Sequence, residues 1–182
     1  MKQQFSYFIQ DVRRMLGKRK IRILYIWMSR SFWGVLLYRM ERGSLISLGK
    51  PYEIIRILFL PIINLIQAYS NLEIHYKANI KGGLYVLHPS MGIVISGKSV
   101  IESNLTLTGG NVIGVSKKCT EGEFVIGNNC NLGANAVILG PVKIGNNIKI
   151  GALSCVTKDF LESGVTLVGI PAKIKIFHQV ES

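Results

Sequence analysis

The sequence predicts a mainly β chain, wound as a parallel β-helix of six-residue steps and preceded by a short, apolar and basic α-helical region. Three observations carry that prediction. From Ile126 to Leu161 an aliphatic residue opens every sixth position: Ile126, Leu132, Ile138, Ile144, Ile150 and Val156. Four of these are followed by glycine, at Gly127, Gly133, Gly145 and Gly151. Residues 1–72 instead hold two apolar stretches mixed with Lys and Arg. Neither an α-helix, near 3.6 residues per turn, nor a strand of period 2 yields a step of six. A β-helix does, because six residues make one flat side and one corner of a coil.

The fifth position of each step is Cys130, Ala136, Val142, Ile148, Ser154 and Phe160, so two positions per step fill a narrow interior while Asn and Lys stay outside. Glycine at the second position suits a corner, where a side chain would crowd the turn or where φ needs to be unusual. Three steps close one triangular coil, which predicts that 126, 144 and 162 stack. The same frame runs earlier from Ile74, Ile80 and Val86, and again from Ile95 and Ile101. It slips between Met91 and Ile95, beside His88, and is lost between Leu107 and Phe124, where an excursion loop is expected at about 108–124. Interruptions in a regular solenoid are where a functional site is expected. The predicted organisation is a helical region over 1–72, the coil over 73–175 and a tail over 176–182.

The formal charge of +12 is uneven. Residues 1–72 hold twelve Lys/Arg against three Asp/Glu, and residues 73–182 hold ten against seven. Three cysteines (Cys119, Cys130, Cys155) without metal-ligand spacing fit a reducing compartment. The first twenty residues lack an apolar core and a small-residue cleavage site, so a cytoplasmic location is expected. Residues 21–40 are long enough to span a bilayer, but Arg30 near the middle costs about 2.5–3.5 kcal/mol on insertion scales. Residues 57–68 are too short and are interrupted by Pro61, Asn64 and Gln67. The expectation is helices lying peripherally on an anionic, cytoplasmic membrane face, each basic residue near it adding about 1 kcal/mol. Packing of these helices within the protein or across subunits is the alternative. No nucleic-acid motif is visible.

HPSMGIVI (88–95), TLTGG (106–110), ILGPVKIGNN (138–147), IGALSCVTKD (150–159) and VGIPAKI (168–174) resemble the hexapeptide-repeat acyltransferases. The likeness falls in the serine O-acetyltransferase branch, nearest its capsule and cell-surface polysaccharide O-acetyltransferase relatives. It implies a left-handed coil, a homotrimer, and acetyl-CoA as co-substrate in grooves between subunits, with no metal. It implies His88 as general base, a role an imidazole with pKa near 6.5 suits at neutral pH. It further implies Glu73 as the acid that orients His88, and an oxyanion donor in the loop at Gly109 or Gly110. For the donor it implies Ala134 and Ala152 along the pantetheine arm, Thr157 and Lys158, and Lys173 and Lys175 near the nucleotide end, where ammonium groups pair with phosphates.

Serine acetyltransferases carry an Asp immediately before the catalytic His and an Arg-His pair in the long loop. Here those positions read Leu87 and Gly122-Glu123. An amino-acid substrate leaves an ammonium and a carboxylate that are costly to bury unpaired. The expected acceptor is therefore a glycan, a sugar hydroxyl of a cell-surface or capsular polysaccharide or its lipid-linked precursor. The alternatives are serine O-acetyltransfer and a non-catalytic trimeric scaffold. A metal-dependent hydratase would need three His per metal, and the coil offers His75 and His88, with His178 in the tail.

Overall fold

The computed structural model describes residues 1–175 apart from Arg19, Lys117 and Glu121. The expected tail at 176–182, with His178, lies outside the described residues. Three helices, α1 (Lys2–Leu16), α2 (Arg30–Leu48) and α3 (Pro51–Ser70), precede the coil. Between α1 and α2 the chain makes two 3₁₀ turns, at Lys20–Leu24 and Ile26–Met28. The apolar stretch 21–40 is thus not one helix, and Arg30 opens α2 instead of occupying mid-helix.

The coil is a triangular prism of three parallel sheets, a left-handed β-helix. The first sheet stacks β1 (Leu72–Ile74), β4 (Ile93–Ile95), β7 (Asn111–Val115), β10 (Val137–Gly140) and β13 (Cys155–Val156). The second stacks β2 (Asn79–Ile80), β5 (Val100–Ile101), β8 (Val125–Ile126) and β11 (Lys143–Ile144). The third stacks β3 (Tyr85–Val86), β6 (Thr106–Leu107), β9 (Asn131–Leu132), β12 (Lys149–Ile150) and β14 (Thr166–Val168), with β15 (Lys173–Ile174) returning antiparallel on β14. The interior is filled as the repeat requires: Ile126, Leu132, Ile138 and Val156 at the first position, and Cys130, Ala136 and Ile148 at the fifth, are all fully buried.

Two details differ from the sequence expectation. Ile126 stacks on Ile144, but the next partner of Ile144 is Phe160 and not residue 162, because the aromatic ring takes the interior position in the last step. The excursion is also shorter than 108–124. β7 holds register with β4 as far as Ile113 and with β10 as far as Val115, so the chain leaves the coil only after it and re-enters at the fully buried Phe124.

The corners explain the glycines. Gly127 and Gly133 do not have positive φ; the left-handed residues are Asn129, Asn135, Asn147 and Leu153, at the fourth position of their steps. Asn is tolerated there because its short polar side chain bonds locally. Asn104 Nδ2 donates to Asn129 Oδ1 (3.0 Å), and Asn129 Nδ2 to Asn147 Oδ1 (3.1 Å), forming a column along one prism edge. The second-position glycines serve close approach instead. A Cβ on Gly127 would lie 2.5 Å from Gly145 O, and one on Gly133 would lie 2.6 Å from Ala152 N.

The helices dock through one stripe of α2. Ser31, Gly34, Val35 and Tyr38 lie on one helical face and are buried. Gly34 lets Leu72 approach so closely that a Cβ would meet it at 2.5 Å. Ser31 Oγ donates to Val86 O, and Tyr38 OH donates to Ala78 O while accepting from Ile80 N. Beside this stripe, buried Arg39 pairs with buried Asp11 of α1 (2.8 Å) and donates to Ile80 O and Lys81 O. Asp11 Oδ1 also accepts from the amides of Gly83 and Leu84 (both 2.7 Å). Helix α1, helix α2 and the first coil meet at this one pair.

Removing one partner of a buried pair leaves the other charge uncompensated. Asp11→Ala is expected to lower stability by about 3–5 kcal/mol, read as a shift of the urea midpoint. Leu153 stands in the left-handed region where the other corners use Asn, so Leu153→Asn is expected to add about 1–2 kcal/mol, visible as a higher thermal midpoint.

Candidate active site

The first interruption of the repeat and the small-residue corners share one prism edge, where the third sheet passes into the first; the second interruption, after Val115, opens on the next edge, where the first sheet passes into the second. The corners of the former edge are residues 87–92, 108–110, 133–136 and 151–154. Backbone bonds stack them: His88 N donates to Thr108 O, Thr108 N to Leu132 O, and Gly133 N to Ile150 O. At the lowest corner HPSMG makes a 3₁₀ turn over Pro89–Met91, closed by Gly92 at φ 80. This turn is the frame slip seen in the sequence. It pushes His88 outward, where its side chain is exposed and makes no hydrogen bond with a described residue.

Gly109 sits directly on His88. A Cβ there would lie 2.6 Å from His88 O and 2.9 Å from Met91 Sδ, so the loop closes on the His88 turn only without a side chain. The amides of Gly109 and Gly110, expected to hold an oxyanion, are already engaged. Gly109 N donates to Asn111 Oδ1 (3.0 Å), and Gly110 N to Gly92 O (2.8 Å). Asn111, which sequence reasoning missed, is buried, and its Nδ2 donates to Gly133 O (2.7 Å) and Ala136 O (3.2 Å). It ties two neighbouring corners together. An Asn directly after Gly-Gly at a strand start is the signal that marks it.

The expected His88–Glu73 dyad is not made; the two side chains share no hydrogen bond. Glu73 pairs in register with Val94 and points outward from β1. Glu73 instead lines a cavity of about 410 Å³ with Gln67 and Asn71 from the end of α3, Gly110, Asn111 and Met91. The outward residue two further along β1 is His75. Burial, and then the Arg56 and Lys77 charges, hold its imidazole below its ordinary pKa, with Glu41 and Glu73 pulling back.

Of the residues expected at the donor, Ala134 and Ala152 lie on the His88 edge, at consecutive corners, with Ala134 O accepting from Leu153 N (2.9 Å). Leu153 projects an exposed aliphatic side chain there. A Leu at the fourth position of its step, where Asn129, Asn135 and Asn147 stand in theirs, is its signal in the sequence. Lys173 begins β15 immediately after the last turn of this edge, where Gly169 N donates to Ser154 Oγ and Ala172 N to Cys155 O. Lys175 follows, its amide donating to Thr166 O. Thr157 and Lys158 lie on the neighbouring edge, after β13, with the Lys158 ammonium 5.5 Å from the Phe160 ring centroid. One chain therefore does not bring the whole expected set together. In the loop, Glu123 Oε2 accepts from Thr120 N, and that bond holds its carboxyl below the usual range.

Residues 125–158 match the family model described as bacterial transferase hexapeptide (six repeats). The chain is similar to the serine acetyltransferase of Synechococcus elongatus, 33% identical over 121 residues, which covers 63% of this chain and 49% of that enzyme. It is 36% identical over 105 residues to the serine acetyltransferase of Helicobacter pylori, covering 57% and 60%. It therefore spans about half the length of these relatives. The crystal structure of Neisseria gonorrhoeae serine acetyltransferase aligns with a TM-score of 0.77 at 25% identity, covering 100% of this chain and 69% of that one. The structure of that enzyme in complex with serine aligns at 0.75 and 26%, covering 95% and 69%. These relatives overturn the expectation of a sugar hydroxyl on a polysaccharide or its lipid-linked precursor. Residues 125–158 thus carry the repeat of the bacterial hexapeptide transferases within a left-handed coil over 72–168, and the relatives named above, similar to it in sequence and in fold, are serine acetyltransferases.

Proposed function

We propose that the chain moves an acetyl group from acetyl-CoA to the hydroxyl of L-serine, releasing CoA and O-acetylserine, and that it works as a homotrimer. The observation that supports this best is that the likeness to the Neisseria enzyme runs through the helices as well as the coil. His88 accepts the serine hydroxyl proton as the oxygen attacks the thioester carbonyl, so the new C–O bond forms without an acyl-enzyme. As the tetrahedral species collapses and the C–S bond breaks, the imidazolium returns that proton to the departing sulfur. Such acid–base work contributes roughly 10²–10⁴ in rate. Ala134 and Ala152, at stacked corners of the same edge, leave room for an extended pantetheine arm. Lys173 supplies positive charge for phosphates at the far end of that edge.

Glu73 takes a role different from the one its spacing implies. Its carboxylate, in the cavity beside the His88 turn, pairs with the serine ammonium. That supplies the charge lacking at Leu87. Gln67 and Asn71 line the same cavity and donate through their carboxamides to the serine carboxylate. For the trimer, the outward residues of the first sheet, Val94, Val112, Val137 and Cys155, form an apolar stripe suited to subunit packing.

The purified full chain is expected to release free thiol from acetyl-CoA only when L-serine is added. His88→Ala is expected to lower kcat by roughly 10²–10⁴ while light scattering still reports a trimer. Glu73→Gln is expected to raise KM for serine more than it lowers kcat. Absence of serine-dependent CoA release from the unaltered chain overturns the reading. A pure kcat effect of Glu73→Gln returns that residue to the support of His88.

A further inference from the structure

The helical region carries an apolar surface that neither the coil nor the other helices cover. On α3, Ile54, Leu58, Ile62, Leu65 and Tyr69 follow one another at helical spacing on one face, and Leu58 and Leu65 are 80% and 70% exposed. The opposite face packs on α2, where Ile63 is buried and Ile55, Phe59 and Ile66 line an apolar groove with Trp33 and Leu37. The surface continues past the end of α3. Tyr69 OH donates to Met28 O, and beyond it Leu24, Trp27 and Met28 of the 3₁₀ turns are exposed.

The charge around this surface has one sign. All three acids of residues 1–72 are already paired: Asp11 with Arg39, Glu41 with Arg56, and Glu53 with Lys77. Arg30 lies over the Tyr69 ring at one end of α3, Lys50 precedes the helix at the other, where its charge also acts on Glu53, and Lys18 precedes the 3₁₀ turns; all three are exposed and form no ion pair with a described residue. An apolar stripe flanked by unpaired cations, with its acids neutralised internally, complements an anionic lipid headgroup layer.

Helix α3 is long and apolar enough to cross a membrane, yet both its ends are tied to the coil. At its start, Glu53 pairs with Lys77 and the Tyr52 ring meets Tyr76 at 5.9 Å; at its end, Asn71 turns directly into β1. Crossing a bilayer would tear one of these ends from the coil. We propose that α3 and the preceding 3₁₀ segment form a docking face for an anionic bilayer, lying in its headgroup layer and not across it. The docking does not depend on which acceptor the coil acetylates.

The test is co-sedimentation of the full chain with phosphatidylglycerol-containing vesicles, with pure phosphatidylcholine vesicles, and alone. Docking predicts at least tenfold higher partition onto the anionic vesicles at low salt, and a fall of similar size at high salt. Leu58→Glu with Leu65→Glu, both solvent-facing, is expected to lose that partition tenfold or more while keeping the thermal midpoint. If that pair fails to fold, Lys18→Glu with Lys50→Glu is expected to weaken partition and flatten its salt dependence. Full-length protein left in the supernatant with anionic vesicles at low salt overturns the proposal. So does a larger assembly without lipid that the Leu58 and Leu65 substitutions dissolve, which would assign the face to a second copy.

Discussion

At the corners of the coil, successive turns lie so close that a Cβ on Gly127 would meet Gly145 O at 2.5 Å and one on Gly133 would meet Ala152 N at 2.6 Å. That approach permits continuous parallel ladders, each short strand bonding to the one below and the one above. It also dictates what the other corner positions hold. On the two edges that flank the third sheet the backbone turns left-handed at the corners, and a residue with a short polar side chain does so at low cost. Asn129, Asn135 and Asn147 fill that role, and the Asn104–Asn129–Asn147 column adds hydrogen bonds along its edge. A coil this tight has no room inside for extra residues. Any insertion must go outward, as the Pro89–Met91 turn and the loop after Val115 both do. The candidate active site is a consequence, since a rigid scaffold presents its chemistry where its regularity breaks.

The helical region depends on the coil through polar contacts as much as apolar ones. Arg39 and Asp11 are buried where α1, α2 and the first coil meet, and their remaining hydrogen bonds go to the Gln4 side chain and to backbone groups of Ile80, Lys81, Gly83 and Leu84. A buried ion pair so fully bonded specifies one docking geometry, since any other leaves a charge without partners. Arg14 extends the same seam, donating to Gly83 O, Leu105 O and Thr106 Oγ1. With α2 held this way, α3 keeps one face on α2 and the other in solvent, and its acids are spent on internal pairs.

The acceptor turns on a few residues. Leu87 and Gly122-Glu123 stand where serine acetyltransferases hold amino-acid-binding side chains, and from the sequence they point away from serine. Similarity over the helices and the coil points toward it. The proposed serine reading rests on the cavity beside the His88 turn, which gathers a carboxylate and two carboxamides (Glu73, Gln67, Asn71) from segments whose sequence positions do not announce a shared site.

The six-residue frame alone determined the coil, its buried columns and the two places where it breaks, because an aliphatic at every sixth residue can be buried only if the chain turns a corner between each pair. It also drew attention to His88, beside the first break, whereas Ala134 and Ala152 are singled out by the resemblance to the hexapeptide-repeat acyltransferases and not by the period. What only the tertiary structure decided involves register between coils or packing between helix and coil. The stacking of Phe160 in place of residue 162, the occupation of the Gly109 and Gly110 amides by Asn111 and Gly92, and the placing of Glu73 in one cavity with Gln67 and Asn71 are of this kind. A repeat specifies what each step buries. It leaves unspecified how far an interrupted corner swings, since that depends on contacts with residues distant in the chain.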